Sequence, residues 1–175
     1  MSESKNSRKI LIMGLDNSGK TSIVESLKGR NLMSGIEPTK GYTTEDVEID
    51  GTRFNIWDFG GQITYRTEHL ARLDDYLYGS NKFIYVIDIQ EHSRYDSSLG
   101  YLEDIMAKLI KRNTEDLDIT IFLHKFDPNF FENYLEITEE MITNLIFRIK
   151  NIIPEKYHEN IFKTTIYTVF ERTGI

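Results

Sequence analysis

Short apolar runs alternate along the chain with longer stretches in which apolar residues recur at helical spacing. Lys9–Met13, Thr52–Trp57, Lys82–Ile87, Ile119–Leu123 and Ile161–Ile166 are rich in Ile, Phe and Val and predict strands. Thr44–Asp50 predicts a further strand, joined to Thr52–Trp57 through Asp50-Gly51, a tight-hairpin dipeptide. Between the runs, Lys20–Gly29, His69–Tyr78, Leu99–Lys111 and Ile137–Ile152 predict helices. Leu102, Ile105, Met106, Leu109 and Ile110 mark one face, and Met141, Ile142, Leu145, Ile146 and Ile149 another; both are expected to face the core. Strands alternating with helices of this length imply βαβ units. The expected fold is therefore α/β in three layers: a six-stranded, mainly parallel sheet with one antiparallel strand and helices on both faces. Only Thr168–Ile175 follows Ile161–Tyr167, so the final helix is expected to be short or missing. No repeat or linker divides residues 1–175, which read as one domain behind a polar tail of residues 1–8.

Composition narrows the function classes. With 21 Lys+Arg against 28 Asp+Glu the net charge is −7, against the basic footprint of a nucleic-acid binder. The absence of cysteine excludes disulfides, thiolate metal sites, a cysteine nucleophile, prenylation and palmitoylation. Ser2 stands where N-myristoylation needs glycine, and the first residues are too polar for a signal peptide. No run reaches the ~20 apolar residues of a membrane span. The expectation is a cytoplasmic protein with no intrinsic membrane anchor, peripheral to membranes only through partners.

Gly14-Leu-Asp-Asn-Ser-Gly19-Lys20-Thr21 fits the phosphate-loop pattern G-x-x-x-x-G-K-[ST], with a strand-like run before it and a helix-like one after. Its glycines let successive N–H groups curl toward phosphate oxygens at a helix N-terminus. Asp16, Asn17, Ser18, Gly19, Lys20, Thr21 and Ser22 are the candidate phosphate-binding residues. Lys20 would reach the β- and γ-phosphates, and the Thr21 hydroxyl would hold Mg²⁺. This loop alone leaves ATPases, kinases and GTPases open.

Asp58-Phe-Gly-Gly61-Gln62 follows a predicted strand, at the end where open α/β sheets bind ligands. Asp58 could hold Mg²⁺ through water, the Gly61 N–H could sense a γ-phosphate, and Gln62 could orient the attacking water. Behind the next-to-last strand stands His124-Lys125-Phe-Asp127. A carboxylate at Asp127 can accept from both N1–H and the exocyclic amine of guanine, a donor pair that adenine lacks. The stem of Lys125 could lie along the base. Thr164-Thr165-Ile166-Tyr167, ending the last predicted strand, could offer N–H groups of Thr165 and Ile166 to the guanine carbonyl.

These motifs, in this order and each at a strand end, resemble the small GTPase superfamily over nearly the whole chain, which implies a P-loop NTPase G domain. Ile12–Thr21, Pro38-Thr39-x-Gly41 and Trp57–Gln62 look like the Arf/Arl family. Phe83–Asp88, His124–Asp127, Thr164–Tyr167 and the long interval from Gln62 to Asp88 are similar to the Rag family. The resemblance adds Thr39 as the residue of switch I that meets Mg²⁺ and the γ-phosphate, in preference to nearby Thr43 and Thr44. It makes residues 31–44 switch I and residues 59–72 switch II, with Thr21, Thr39 and Asp58 as metal ligands. GTP/GDP and Mg²⁺ are the implied cofactors. An exchange factor, a GTPase-activating protein and effectors acting through the switches are the implied partners, with a homo- or heterodimer also open. His124 stands where most relatives have Asn, and Asp16 where many have Gly, crowding the γ-phosphate side.

Two functions follow: a GTP-hydrolysing switch with Gln62 and Lys20 as catalytic residues, or a non-hydrolysing GTP-binding subunit of a Rag-like complex. A P-loop kinase or ATPase suits Asp127 less well. His69, His92, His124 and His158 show no metal-ligand spacing and read as surface or loop positions. Asp74-Asp75 and Glu139-Glu140 read as solvated helix faces. Tyr65, Arg66 and His69 suit a partner surface or local packing.

Overall fold

The computed structural model describes residues 7–29, 36–112, 117–157 and 159–167. Six strands, β1 (Arg8–Gly14), β2 (Tyr42–Ile49), β3 (Thr52–Phe59), β4 (Ser80–Asp88), β5 (Asp118–His124) and β6 (Glu159–Lys163), form one sheet in the order β2-β3-β1-β4-β5-β6. β2 pairs antiparallel with β3, and the other pairs are parallel. From β1 the chain goes first to β3 on one side and later to β4 on the other. The C-terminal end of β1 is therefore a topological switch point, and the phosphate loop lies there.

Period-two alternation sorts the strand residues between two faces. Leu11, Met13, Phe83, Tyr85, Ile87, Ile119, Ile121 and Leu123 pack on one face. Against them lie α3 (Leu73–Leu77), α4 (Tyr95–Arg112), Phe130 of the short α5 (Phe130–Asn133) and α6 (Glu139–Ile152), with α2 (Ile63–Ala71) beside α3 and α4. Ile10, Ile12, Ile56, Ile84 and Val86 face the other way, toward Val24 of α1 (Lys20–Leu27). The expected three-layer α/β architecture with its single antiparallel strand is observed.

The predicted helical stripes hold with one exception in α4, where Ile110 is 42% exposed. In α6, Ile142, Leu145 and Ile149 are buried, and the Thr138 hydroxyl caps the helix by accepting from Met141 N at 3.2 Å. Most boundaries shift by a few residues, α4 starting at Tyr95 and β2 at Tyr42, and two elements differ more. The single helix predicted over His69–Tyr78 is two, α2 and α3, which meet at Arg72 where φ −107° and ψ 12° leave helical geometry. The strand predicted over Ile161–Ile166 spans Glu159–Lys163 instead. Thr164 still donates from its N to Leu123 O at 2.9 Å, while the hydroxyls of Thr164 and Thr165 turn to His124, at the end of β5, and to Asp127 just beyond it. Residues 168–175, where the short or missing final helix was expected, lie outside the described residues, as do His158 and residues 31–35 of the expected switch I.

Candidate functional site

Gly19 closes the phosphate loop at φ 93°, a left-handed conformation, and opens α1 directly after it. A Cβ at this position would overlap the His124 ring, so glycine meets both a conformational and a packing demand. The same contact joins the two halves of the site. Asn17 also lies at positive φ, 61°, as the loop curls. Lys20, only 6% exposed, turns back over the loop: its Nζ donates to Leu15 O at 2.6 Å and Gly14 O at 3.2 Å, with Ser18 Oγ at 3.4 Å. Burial lowers the Lys20 pKa to about 8, against the pull of Asp58 and Asp16.

Three segments distant in sequence converge beside this loop. Thr21 Oγ1 donates to Asp58 Oδ2 at 2.6 Å, and Thr39 Oγ1 lies 3.0 Å from Thr21 Oγ1 and 3.4 Å from Asp58 Oδ2. Thr43 and Thr44, the alternatives to Thr39, stand exposed in β2. Burial raises the Asp58 pKa, opposed by its hydrogen bond from Thr21 and the charge of Lys20. Asp58 Oδ1 is buried without a hydrogen-bond partner. Two hydroxyls and a carboxylate with an oxygen to spare are the hard donors that Mg²⁺ takes, so the residues fit the cation. No group of three or more His, Cys, Asp or Glu among the described residues offers another metal site.

Asp16, Asn17, Gly19, Lys20, Thr21, Ser22, Thr39, Gly61 and Gln62 all line one cleft of about 220 Å³. Gly61 lies so close to the Leu15–Asp16 backbone that a Cβ would overlap it. A wider groove of about 1130 Å³ between residues 70–78 and α4 contains none of the motif residues.

The second half of the site sits at the ends of β5 and β6, whose register pairs Leu123 with Lys163. His124, predicted as a surface or loop histidine as well as a base-site residue, is 2% exposed, with Nδ1 at 2.9 Å from Thr164 Oγ1. Burial is the main cause that lowers its pKa to about 4, helped by Lys125 and opposed by Asp127. Lys125, at φ 65°, pairs with Asp88 at 2.5 Å. Asp127 accepts from Thr165 Oγ1 at 2.7 Å and from Gln90 Nε2 at 2.9 Å. Ile166 is half-buried beside Thr165.

Asp88, Gln90 and Arg94 stand beside the site without having been assigned to it from the sequence. Asp88 and Gln90 lie at and just past the end of β4, where the strand-end rule could have flagged them. Arg94 grips Asp16, with Nη2 donating to Asp16 Oδ1 at 2.6 Å. His69, also expected at a surface or loop, is 1% exposed and approaches Gly41 O at 3.2 Å. Of the two roles open to it, partner surface or local packing, its burial between Phe59 and Tyr76 favours packing. Arg66 lies over the Tyr101 ring at 5.4 Å.

The sequence model of the ADP-ribosylation factor (Arf) family matches residues 1–168. The chain belongs to the Arf family. ADP-ribosylation factor J of Dictyostelium discoideum is 33% identical over 144 residues, covering 82% of this chain and 72% of that protein. ADP-ribosylation factor K of the same organism is 31% identical over the same shares of each chain. Among solved structures, the Arl6 BBS3 small GTPase of Trypanosoma brucei with bound nucleotide analogue GppNp has the same fold. Its TM-score is 0.69 at 22% identity, over 92% of this chain and 88% of that one. The chain is thus a small GTPase of a family that binds guanine nucleotides. Of the two branches its motifs resemble, the family match decides for Arf. No helix among the described residues is long and apolar enough to cross a membrane.

Proposed function

We propose that this Arf-family chain is a GTP-hydrolysing molecular switch. The observation that carries the reading is the Thr21–Thr39–Asp58 cluster, which ties the phosphate loop, residues 36–41 and the end of β3 around one point. Gln62, in the same cleft, orients the attacking water, while Lys20 stabilises charge developing on the transferred phosphoryl oxygens. Thr21, Thr39 and Asp58 would hold Mg²⁺, which when bound would neutralise charge on the phosphate oxygens. Asp127 and the Thr165–Ile166 backbone read guanine, with Lys125 along the base. Switch I and switch II are held by contacts that depend on the γ-phosphate, so hydrolysis releases them.

Partners that sense nucleotide state would bind the surface the switches share. There Tyr42 and Trp57 stack at 5.1 Å, Tyr76 packs on both, and Tyr42 stays 39% exposed. Exchange factors, activating proteins and effectors are the expected classes, acting in the cytoplasm. Intrinsic turnover is slow in this reading, because Arg94 is engaged by Asp16 and Arg66 by Tyr101, and a free arginine at the phosphate is worth roughly 10³–10⁵ in rate.

Single-turnover hydrolysis of GTP and of ATP with Mg²⁺, in wild type and Gln62→Leu, tests the proposal. GTP cleavage in wild type, reduced at least tenfold by Gln62→Leu, is expected. ATP preferred over GTP would remove the guanine assignment. GTP bound but cleaved by neither protein would favour the non-hydrolysing interaction subunit.

A further inference from the structure

Asp16 is an anomaly of charge. It lines the cleft with Lys20, Thr39 and Gln62, and its backbone N lies against Gly61, the residue assigned to sense the γ-phosphate. A carboxylate in that position faces a polyanion. Like charges at such range oppose binding, and the terminal phosphate, nearest Gly61, is opposed most.

One side chain answers this. Arg94 belongs to the turn His92–Arg94 that precedes α4, and its N donates to Glu91 O at 2.9 Å. Its guanidinium takes Asp16 at two points, Nη2 to the carboxylate at 2.6 Å and Nη1 to the main-chain oxygen at 3.1 Å. Nη1 also pairs with Glu91 at 3.1 Å, which anchors the arginine to its own turn. One bond to the carboxylate and one to the main chain of the same residue fix where Asp16 points as well as compensating its charge. Burial opposes the ionised carboxyl, but the hydrogen bond and charge of Arg94 outweigh it, so Asp16 stays below the usual carboxylate range.

We propose that Arg94 is a positioning residue that turns the Asp16 carboxylate aside and cancels its charge, and so sets the preference of this phosphate loop for GTP over GDP. The proposal rests on the guanine-nucleotide reading above. It assigns Arg94 no contact with the reacting phosphate.

The test measures binding of a non-hydrolysable GTP analogue and of GDP, both with Mg²⁺, to wild type, Arg94→Ala, Asp16→Ala and the double variant. Arg94→Ala should weaken the analogue about tenfold and GDP less than threefold, because the terminal phosphate that GDP lacks lies nearest Asp16. Adding Asp16→Ala to Arg94→Ala should restore the analogue to within threefold of wild type. Rescue by deleting the partner is what a purely structural role would not give. Arg94→Lys, keeping the charge without the two-point grip, should fall between and serves if Arg94→Ala does not fold.

Equal weakening of both nucleotides, or no rescue in the double variant, overturns the proposal while leaving guanine binding intact. Failure of the wild type to bind either guanine nucleotide overturns the underlying reading instead.

Discussion

The phosphate end and the base end of the cleft are built on different principles. At the phosphate end, three segments separated by 18 and 19 residues meet through side-chain oxygens, and one of these, Asp58 Oδ1, is buried without a partner. At the base end the polar groups are engaged by their neighbours: His124 with Thr164, Lys125 with Asp88, Asp127 with Thr165 and Gln90. The segments there continue two adjacent parallel strands, so the sheet itself sets their spacing. An end whose donors satisfy one another is a fixed reader. An end that leaves a buried acceptor open is completed by what it binds, and only such an end can change with the ligand.

The sharpest way to break this contrast is at Lys20. Lys20→Ala removes the buried ammonium and frees the carbonyls of Gly14 and Leu15 that it holds. Nucleotide affinity should fall about a thousandfold, since several charge-assisted hydrogen bonds to phosphate go at once. Titration with a fluorescent guanine nucleotide measures it. A loss of less than tenfold would mean that the phosphate end is not organised around this side chain.

The base end offers an effect on stability rather than binding. The His124 ring takes its proton at about 4 in the folded protein, against 6.5 ordinarily. Above pH 6.5 both states hold it neutral and nothing is lost. As pH falls below 6.5 the unfolded chain takes up the proton first, so stability declines until about pH 4 and then levels, a loss of ~3 kcal/mol. Denaturant unfolding between pH 4 and 7 in wild type and His124→Asn isolates this contribution. The variant should lose the extra slope and keep the fold, because Asn can replace the bond to Thr164. Identical slopes in the two proteins would show that this ring does not carry the pH dependence.

What the sequence disclosed follows the same division. β1, β3, β4 and β5 are legible because each alternates between two buried faces, and the motifs at their ends inherit their positions. α2 is not, since Ile63 is 70% exposed and His69 is its buried residue. Its place is fixed by Phe59 and Tyr76 around His69, contacts that no periodicity encodes. The end of β6 was misread because Thr164 and Thr165 are β-branched, as strand residues often are, while their hydroxyls serve His124 and Asp127. Arg94 reaches Asp16 across 78 residues and bears no local signature. Pairings made by tertiary contact alone are the part that pattern cannot give.

His69 gives the finest test, because it joins one switch to the other. Gly41 O accepts from Gly60 N at 2.7 Å, and His69 Nε2 approaches the same oxygen at 3.2 Å, placed to donate. Gly60 in turn lies close enough to Thr39 O that a side chain would overlap it. Through that shared carbonyl, α2 helps fix residues 39–41, and with them the Thr39 hydroxyl. Burial lowers the His69 pKa, and a neutral ring in the tautomer with its proton on Nε2 can donate to Gly41. His69→Leu keeps the bulk but removes the donor, worth about 1 kcal/mol for a neutral bond. A GTP analogue with Mg²⁺ should then bind roughly fivefold more weakly, while GDP, which makes no demand on Thr39, is unchanged. His69→Gln, whose amide can reach the same carbonyl, should recover most of the loss. If Leu and Gln behave alike, packing alone would account for His69; if GDP weakens equally, the bond would stabilise the domain without distinguishing the two nucleotides.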